Sequence, residues 1–99
     1  VQKNTTSTGE EILQSKVAMA ILRTLIQRDM PLPISRIAKE TGSNYVTIRK
    51  HINHLENAEL ITSVEYGKRT LYKTNNTNER ILVLKHFIEA WNKAKKQKD

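Results

Sequence analysis

Ninety-nine residues bound a single domain with one core, since a chain of this size buries only about two-thirds of the surface its unfolded form exposes. With 37% hydrophobic and 27% charged residues, three Gly and two Pro, the composition is globular and excludes fibrous and low-complexity classes, while the absence of Cys excludes disulfide scaffolds, thiolate nucleophiles, iron–sulfur clusters and Cys-type zinc sites. Seventeen Lys+Arg against ten Asp+Glu give a net charge of +7 and favour a polyanionic partner such as nucleic acid or an anionic surface.

The polar start, Val1 to Ser7, has no apolar core of a signal peptide and reads, through residue 8, as a flexible amino end. Thr8 and Glu11 have capping-box spacing, which predicts a first helix running to about Arg28. Its apolar positions form two stripes, Val17, Ile21, Leu25 and Ile12, Met19, Ile26, more than one neighbour can cover. Its longest apolar run, residues 17–22, is far below the ~20 residues a membrane span needs.

Pro31 and Pro33 stop that helix, and Ser35 is expected to cap a short second one over residues 36–41, ended by Gly42. Asn44 is placed to cap a third helix to about Asn57, with Ile48, Ile52 and Leu55 as its inner stripe. Residues 60–66 and 70–74 are rich in β-branched and aromatic types around Gly67-Lys68-Arg69 and predict a β-hairpin. A last helix is expected from Glu79 to about Lys95, followed by a basic tail over 96–99. It carries Ile81, Leu84, Ile88, Trp91 on one stripe and Val83, Phe87, Ala90, Ala94 on another. The fold class read from this order is mainly α with a small β-hairpin.

Two short helices joined by a glycine turn leave the second free on its outer face to enter a DNA major groove. At 100° per residue that arc holds Val46, Lys50, Asn53 and Asn57, with Thr47 and Arg49 beside it. Lys or Arg can donate to guanine O6 and N7, Asn can pair with adenine, and Val46 or Thr47 can pack on a thymine methyl. Ser43, Asn44 and Tyr45 are placed for phosphate at the helix's positive end. His51 and His54 have no Cys or third His near them in sequence, and no nucleophile–base pair or paired carboxylates stand out. The expectation is therefore no enzyme, no metal and no cofactor.

Residues 37–61, from Ile37-Ala38 through Gly42 and Ile48 to Leu60-Ile61, resemble the helix-turn-helix and first wing strand of MarR/ArsR-like winged-helix regulators of bacteria and archaea. Glu59 departs from that pattern, standing where glycine is common. The resemblance covers roughly residues 10–75 and implies a DNA-binding domain over 9–75. It also implies a wing with Lys68 and Arg69 on phosphate or in a minor groove, and homodimers. Residues 76–95 are then a dimerisation helix, and the expected interface is Ile12, Met19, Ile26, Ile81, Leu84, Phe87, Ile88 and Trp91. The function expected is a sequence-specific, cytoplasmic, nucleoid-associated regulator of transcription binding double-stranded DNA. Its alternatives are an architectural DNA-binding protein and a winged-helix interaction module. The lysine-rich, cysteine-free composition would suit an archaeon, its virus or its plasmid.

Overall fold

A computed structural model describes the backbone of residues 15–97 and the side-chain surroundings through residue 94. In chain order the described elements are α1 (Lys16–Arg28), α2 (Ile34–Thr41), α3 (Tyr45–Asn57), β1 (Ile61–Tyr66), β2 (Arg69–Thr74) and α4 (Glu79–Gln97). None of these helices is long and apolar enough to cross a membrane.

Among the described residues the first helix begins at Lys16. Ser15 is extended, at φ −88° and ψ 122°, and its hydroxyl accepts from the Ala18 N–H, so it caps α1. The Thr8 cap and Ile12 lie outside the described residues. The second helix starts earlier than expected, at Ile34 with Pro33 as its N-cap, because Ile34 is buried in the core and draws the first turn forward. Ser35 is thus exposed inside the helix, and the Pro33 carbonyl accepts from the N–H groups of both Arg36 and Ile37.

One packed cluster joins the elements: Ile21, Leu22 and Leu25 of α1, Ile37 of α2, Ile48, Ile52 and Leu55 of α3, Ile61 of β1 and Ile81 of α4. Each such side chain contributes roughly 1.5–3 kcal/mol by leaving water, which sets the scale for the surface terms below. Leu32, between its two prolines, is extended and pairs in both directions with Tyr72, so the hairpin gains a one-residue third strand. Pro33 has no N–H to extend that pairing.

The corner between α3 and β1 is a helix-terminating motif with a non-glycine residue at its left-handed position. The Leu60 N–H bonds to the Leu55 carbonyl and the Glu59 N–H to the Glu56 carbonyl, and Glu59 sits at φ 63°. The side-chain amides of Asn75 and Asn78 both donate to the Glu59 carbonyl, at 2.8 and 2.9 Å, and clamp the corner to the loop before α4. Leu60, expected in the strand, is spent on this corner. Asp29 also has a positive φ, 54°, but aspartate tolerates that region better than glutamate. Glu59→Gly is therefore expected to stabilise the protein by roughly 0.5–1 kcal/mol and to raise Tm by about 3–6 °C in a thermal melt. An unchanged or lower Tm would contradict strain at this corner.

Between α1 and α2, the Arg28 guanidinium forks onto both Glu40 carboxylate oxygens, and Arg36 joins from one turn away. These hydrogen bonds, Arg28's first, hold the Glu40 carboxyl below the usual carboxylate range. A depressed folded-state pKa means stability that is fully present at neutral pH and lost as pH falls through the folded value. Glu40→Gln should then lower Tm at neutral pH, with the gap to wild type closing in acid. A pH-independent gap would contradict the linkage.

Candidate nucleic-acid interface

The turn between α2 and α3 is Gly42, Ser43 and Asn44, and its geometry has local causes. Gly42 takes φ 75°, its N–H and that of Ser43 both return to the Ala38 carbonyl, and the Thr41 hydroxyl donates to Ile37. Asn44 then caps α3, its Oδ1 accepting from the Thr47 N–H at 2.8 Å. That use of the oxygen leaves the Asn44 amide group as an outward donor. The backbone N–H groups of Tyr45 and Val46 find no acceptor among the described residues, as expected for a helix's first turn.

With Ile48, Ile52 and Leu55 fully buried, the opposite arc of α3 faces solvent. Val46 is 75% exposed there, alongside Arg49, Lys50 and Asn53. Ser43 and Thr47 are half-buried at the edge, and Asn44 is exposed. The side-chain hydrogen bonds of this segment among the described residues engage Asn44, Tyr45, Arg49 and His51, leaving Lys50 and Asn53 free to meet a ligand.

One pairing within the arc was not foreseen from the sequence. Arg49 stacks on the Tyr45 ring, 5.9 Å from its centroid, and donates to its hydroxyl at 3.2 Å. The signal was their i, i+4 spacing, which sets both on one face. Tyr45 therefore holds Arg49 against the helix in addition to standing near the phosphate-facing end. His51 donates from Nδ1 to the Thr47 carbonyl at 2.9 Å, which leaves Nε2 outward.

Tyr72 on β2 lies under this edge of α3. Burial pushes its phenol up, Glu56 and more weakly Tyr45 and Glu65 add to the rise, and Arg49 opposes it. Its neutral ring thus fills the space between α3 and the hairpin. Glu56 and Glu65 near it make that strip acidic, so a polyanion is favoured toward the N-terminal half of α3 and disfavoured here.

The hairpin closes with two residues, not three. Tyr66 pairs with Arg69 across Gly67-Lys68, and Gly67 supplies the positive φ, 64°, that the first position of such a turn needs. Lys68 is at the tip, whereas Arg69, expected there, is the first residue of β2, and both are exposed.

A homodimeric winged helix-turn-helix DNA-binding domain from Mycobacterium bovis, a 1–100 fragment of a possible ArsR-family transcriptional regulator, shares this arrangement. Its TM-score is 0.67 at 21% identity, over 85% of this chain and 74% of that one. The fold is a winged helix-turn-helix. An ArsR-like transcriptional regulator from Rhodococcus sp. is similar with TM-score 0.64 and 23% identity, over 90% of this chain and 84% of that one. So is a mutant of the type III plasmid segregation protein TubR, with TM-score 0.67 and 18% identity over 89% and 98%. No protein-family model and no curated protein matches the sequence.

In this winged helix-turn-helix the terminal helix α4 sorts its two apolar stripes unequally. Ile81, expected at a dimer interface, is 1% exposed in the chain's own core, and Ile26 and Ile88 are buried as well. Met19 and Leu84 are half-buried against that core. Phe87 and Trp91 are 58% and 60% exposed, with ring centroids 6.1 Å apart, and Val83 and Leu82 are exposed nearby. Trp91 leaves the Ile81 stripe because ten residues at 100° carry it about 80° around the helix, toward Phe87.

Proposed function

We propose that this protein is a homodimeric regulator of transcription that binds double-stranded DNA sequence-specifically. In this reading α3 enters the major groove and the wing lies on the backbone or in the minor groove. The observation that carries it is the free arc of α3, where Val46, Lys50 and Asn53 are exposed with unengaged side chains opposite a fully buried stripe. An apolar side chain, a cation and an amide in that order match a thymine methyl, a guanine edge and an adenine edge. Arg49 joins them once released from Tyr45, and Ser43, Asn44, Tyr45 and Thr47 border the phosphates. Lys68 and Arg69 do so from the wing.

A net charge of +7 and neighbours described as DNA-binding regulators support this reading. The dimer rests on the Val83, Phe87, Trp91 face of α4, a large apolar stripe that a single chain leaves in water. Similarity to a plasmid segregation protein favours one second reading, DNA binding that organises DNA without regulating transcription. Titration of duplex DNA across a salt series tests the common core. Affinity should fall steeply with salt, since phosphate contacts release counterions, and one selected duplex should outcompete random DNA. Equal affinity for both would favour the organising role, and no duplex binding would overturn both readings.

A further inference from the structure

Closing this wing requires Gly67 and no aromatic residue, yet Tyr66 stands beside it 72% exposed. The register shows which face it occupies. Ile61 with Thr74, Ser63 with Tyr72 and Glu65 with Thr70 share the face turned to the core and α3, where Ile61 and Thr74 are buried. The other face carries Thr62 with Lys73, Val64 with Leu71, and Tyr66 with Arg69. Fold packing therefore gives Tyr66 no role. Its carboxylate neighbour Glu65 points to the opposite face and accepts from the Thr70 hydroxyl. The outer face thus carries the Tyr66 phenol cross-strand from the Arg69 guanidinium, next to the exposed turn residue Lys68, with no acid in that pair. Arg69 does not stack on Tyr66 in the way Arg49 stacks on Tyr45 among the described residues, so both side chains are available outward.

We propose that Tyr66 is a DNA-contacting residue of the wing tip, its ring packed on deoxyribose at the edge of a groove while Lys68 and Arg69 meet phosphate. The inference rests on the DNA reading above. A groove wall is apolar sugar flanked by phosphate oxygens. A tyrosine matches both, with an apolar ring and a hydroxyl that donates to phosphate. The flanking cations bring that ring to the backbone and hold it there.

The test is fluorescence titration of a labelled duplex, recovered by selection from a random pool, with the full chain and its variants across a salt series. Tyr66→Ala and Tyr66→Thr, the second keeping strand propensity, should each bind about tenfold more weakly at unchanged Tm. Their salt slope should match wild type, because no charge is lost, whereas Arg69→Ala should lower the slope by about one. Tyr66→Phe should stay within about threefold of wild type. Unchanged affinity in both Tyr66→Ala and Tyr66→Thr, with wild type binding normally, would overturn the assignment alone. A Tyr66→Phe loss as large as that of Tyr66→Ala would overturn the ring contact. No duplex binding by wild type would overturn the DNA reading together with it.

Discussion

Phe87→Asp combined with Trp91→Asp should convert the protein to monomers and weaken binding to a two-fold DNA site by about 10²- to 10⁴-fold. Both rings are more than half exposed in the single chain, so removing them leaves its core intact, and Tm extrapolated to low concentration should be nearly unchanged. In the proposed dimer the same rings would be desolvated anchors, aromatic residues being enriched among those that dominate interface energetics. Two carboxylates per chain on a two-fold interface face their own copies, adding repulsion to lost burial. Joining two half-site readers makes the second binding event intramolecular, which is why affinity should fall far more than any single DNA contact explains. Sedimentation velocity together with duplex titration checks it. A variant that stays dimeric, or that is monomeric yet binds the two-fold site like wild type, would contradict the α4 interface.

Lys50→Ala should cost roughly 1–3 kcal/mol of discrimination, about five- to 150-fold, at one base position while leaving folding stability within about half a kcal/mol of wild type. Lys50 is exposed and unengaged, so its whole loss should be visible in binding. Arg49→Ala should cost less, because the free protein already spends that guanidinium on the Tyr45 ring and hydroxyl, and the stack must be given up before Arg49 reaches a base. Tyr45→Phe would then recover part of Arg49's reach by removing the hydroxyl acceptor. Titration of selected and base-substituted duplexes separates these cases. Unchanged affinity in both Lys50→Ala and Arg49→Ala would contradict α3 as the reading element.

What the sequence made legible was what local chemistry decides. Gly42 ends α2 and Asn44 caps α3 as expected, because a positive φ and a side-chain cap need only near neighbours. The α3 inner stripe was equally clear, since one helical period fixes Ile48, Ile52 and Leu55 together. The start of α2 was misplaced because burial of Ile34, a tertiary effect, outweighed the capping preference of Ser35. Leu32 pairs with a residue far along the chain, and its flanking prolines signalled only a helix stop. Glu59 showed itself as a departure from a glycine pattern, and the left-handed corner gives that departure its physical meaning. The period of α4 reveals two apolar faces but not which one the fold consumes, and it places Ile81 and Trp91 on one stripe that the fold then divides. Tyr66 reads from sequence as an ordinary packing aromatic of the hairpin, and only the register sets it on the outer face beside Arg69, 72% exposed.

In the proposed assembly two copies of this fold, joined through α4, read DNA with paired α3 helices. Selection of bound duplexes from a random pool, followed by alignment of the recovered sequences, tests it most directly. A two-fold motif is expected, with half-sites centred about 10 base pairs apart, one turn of DNA. Recovery of sequences with no shared motif, or of a single unpaired half-site, would contradict it.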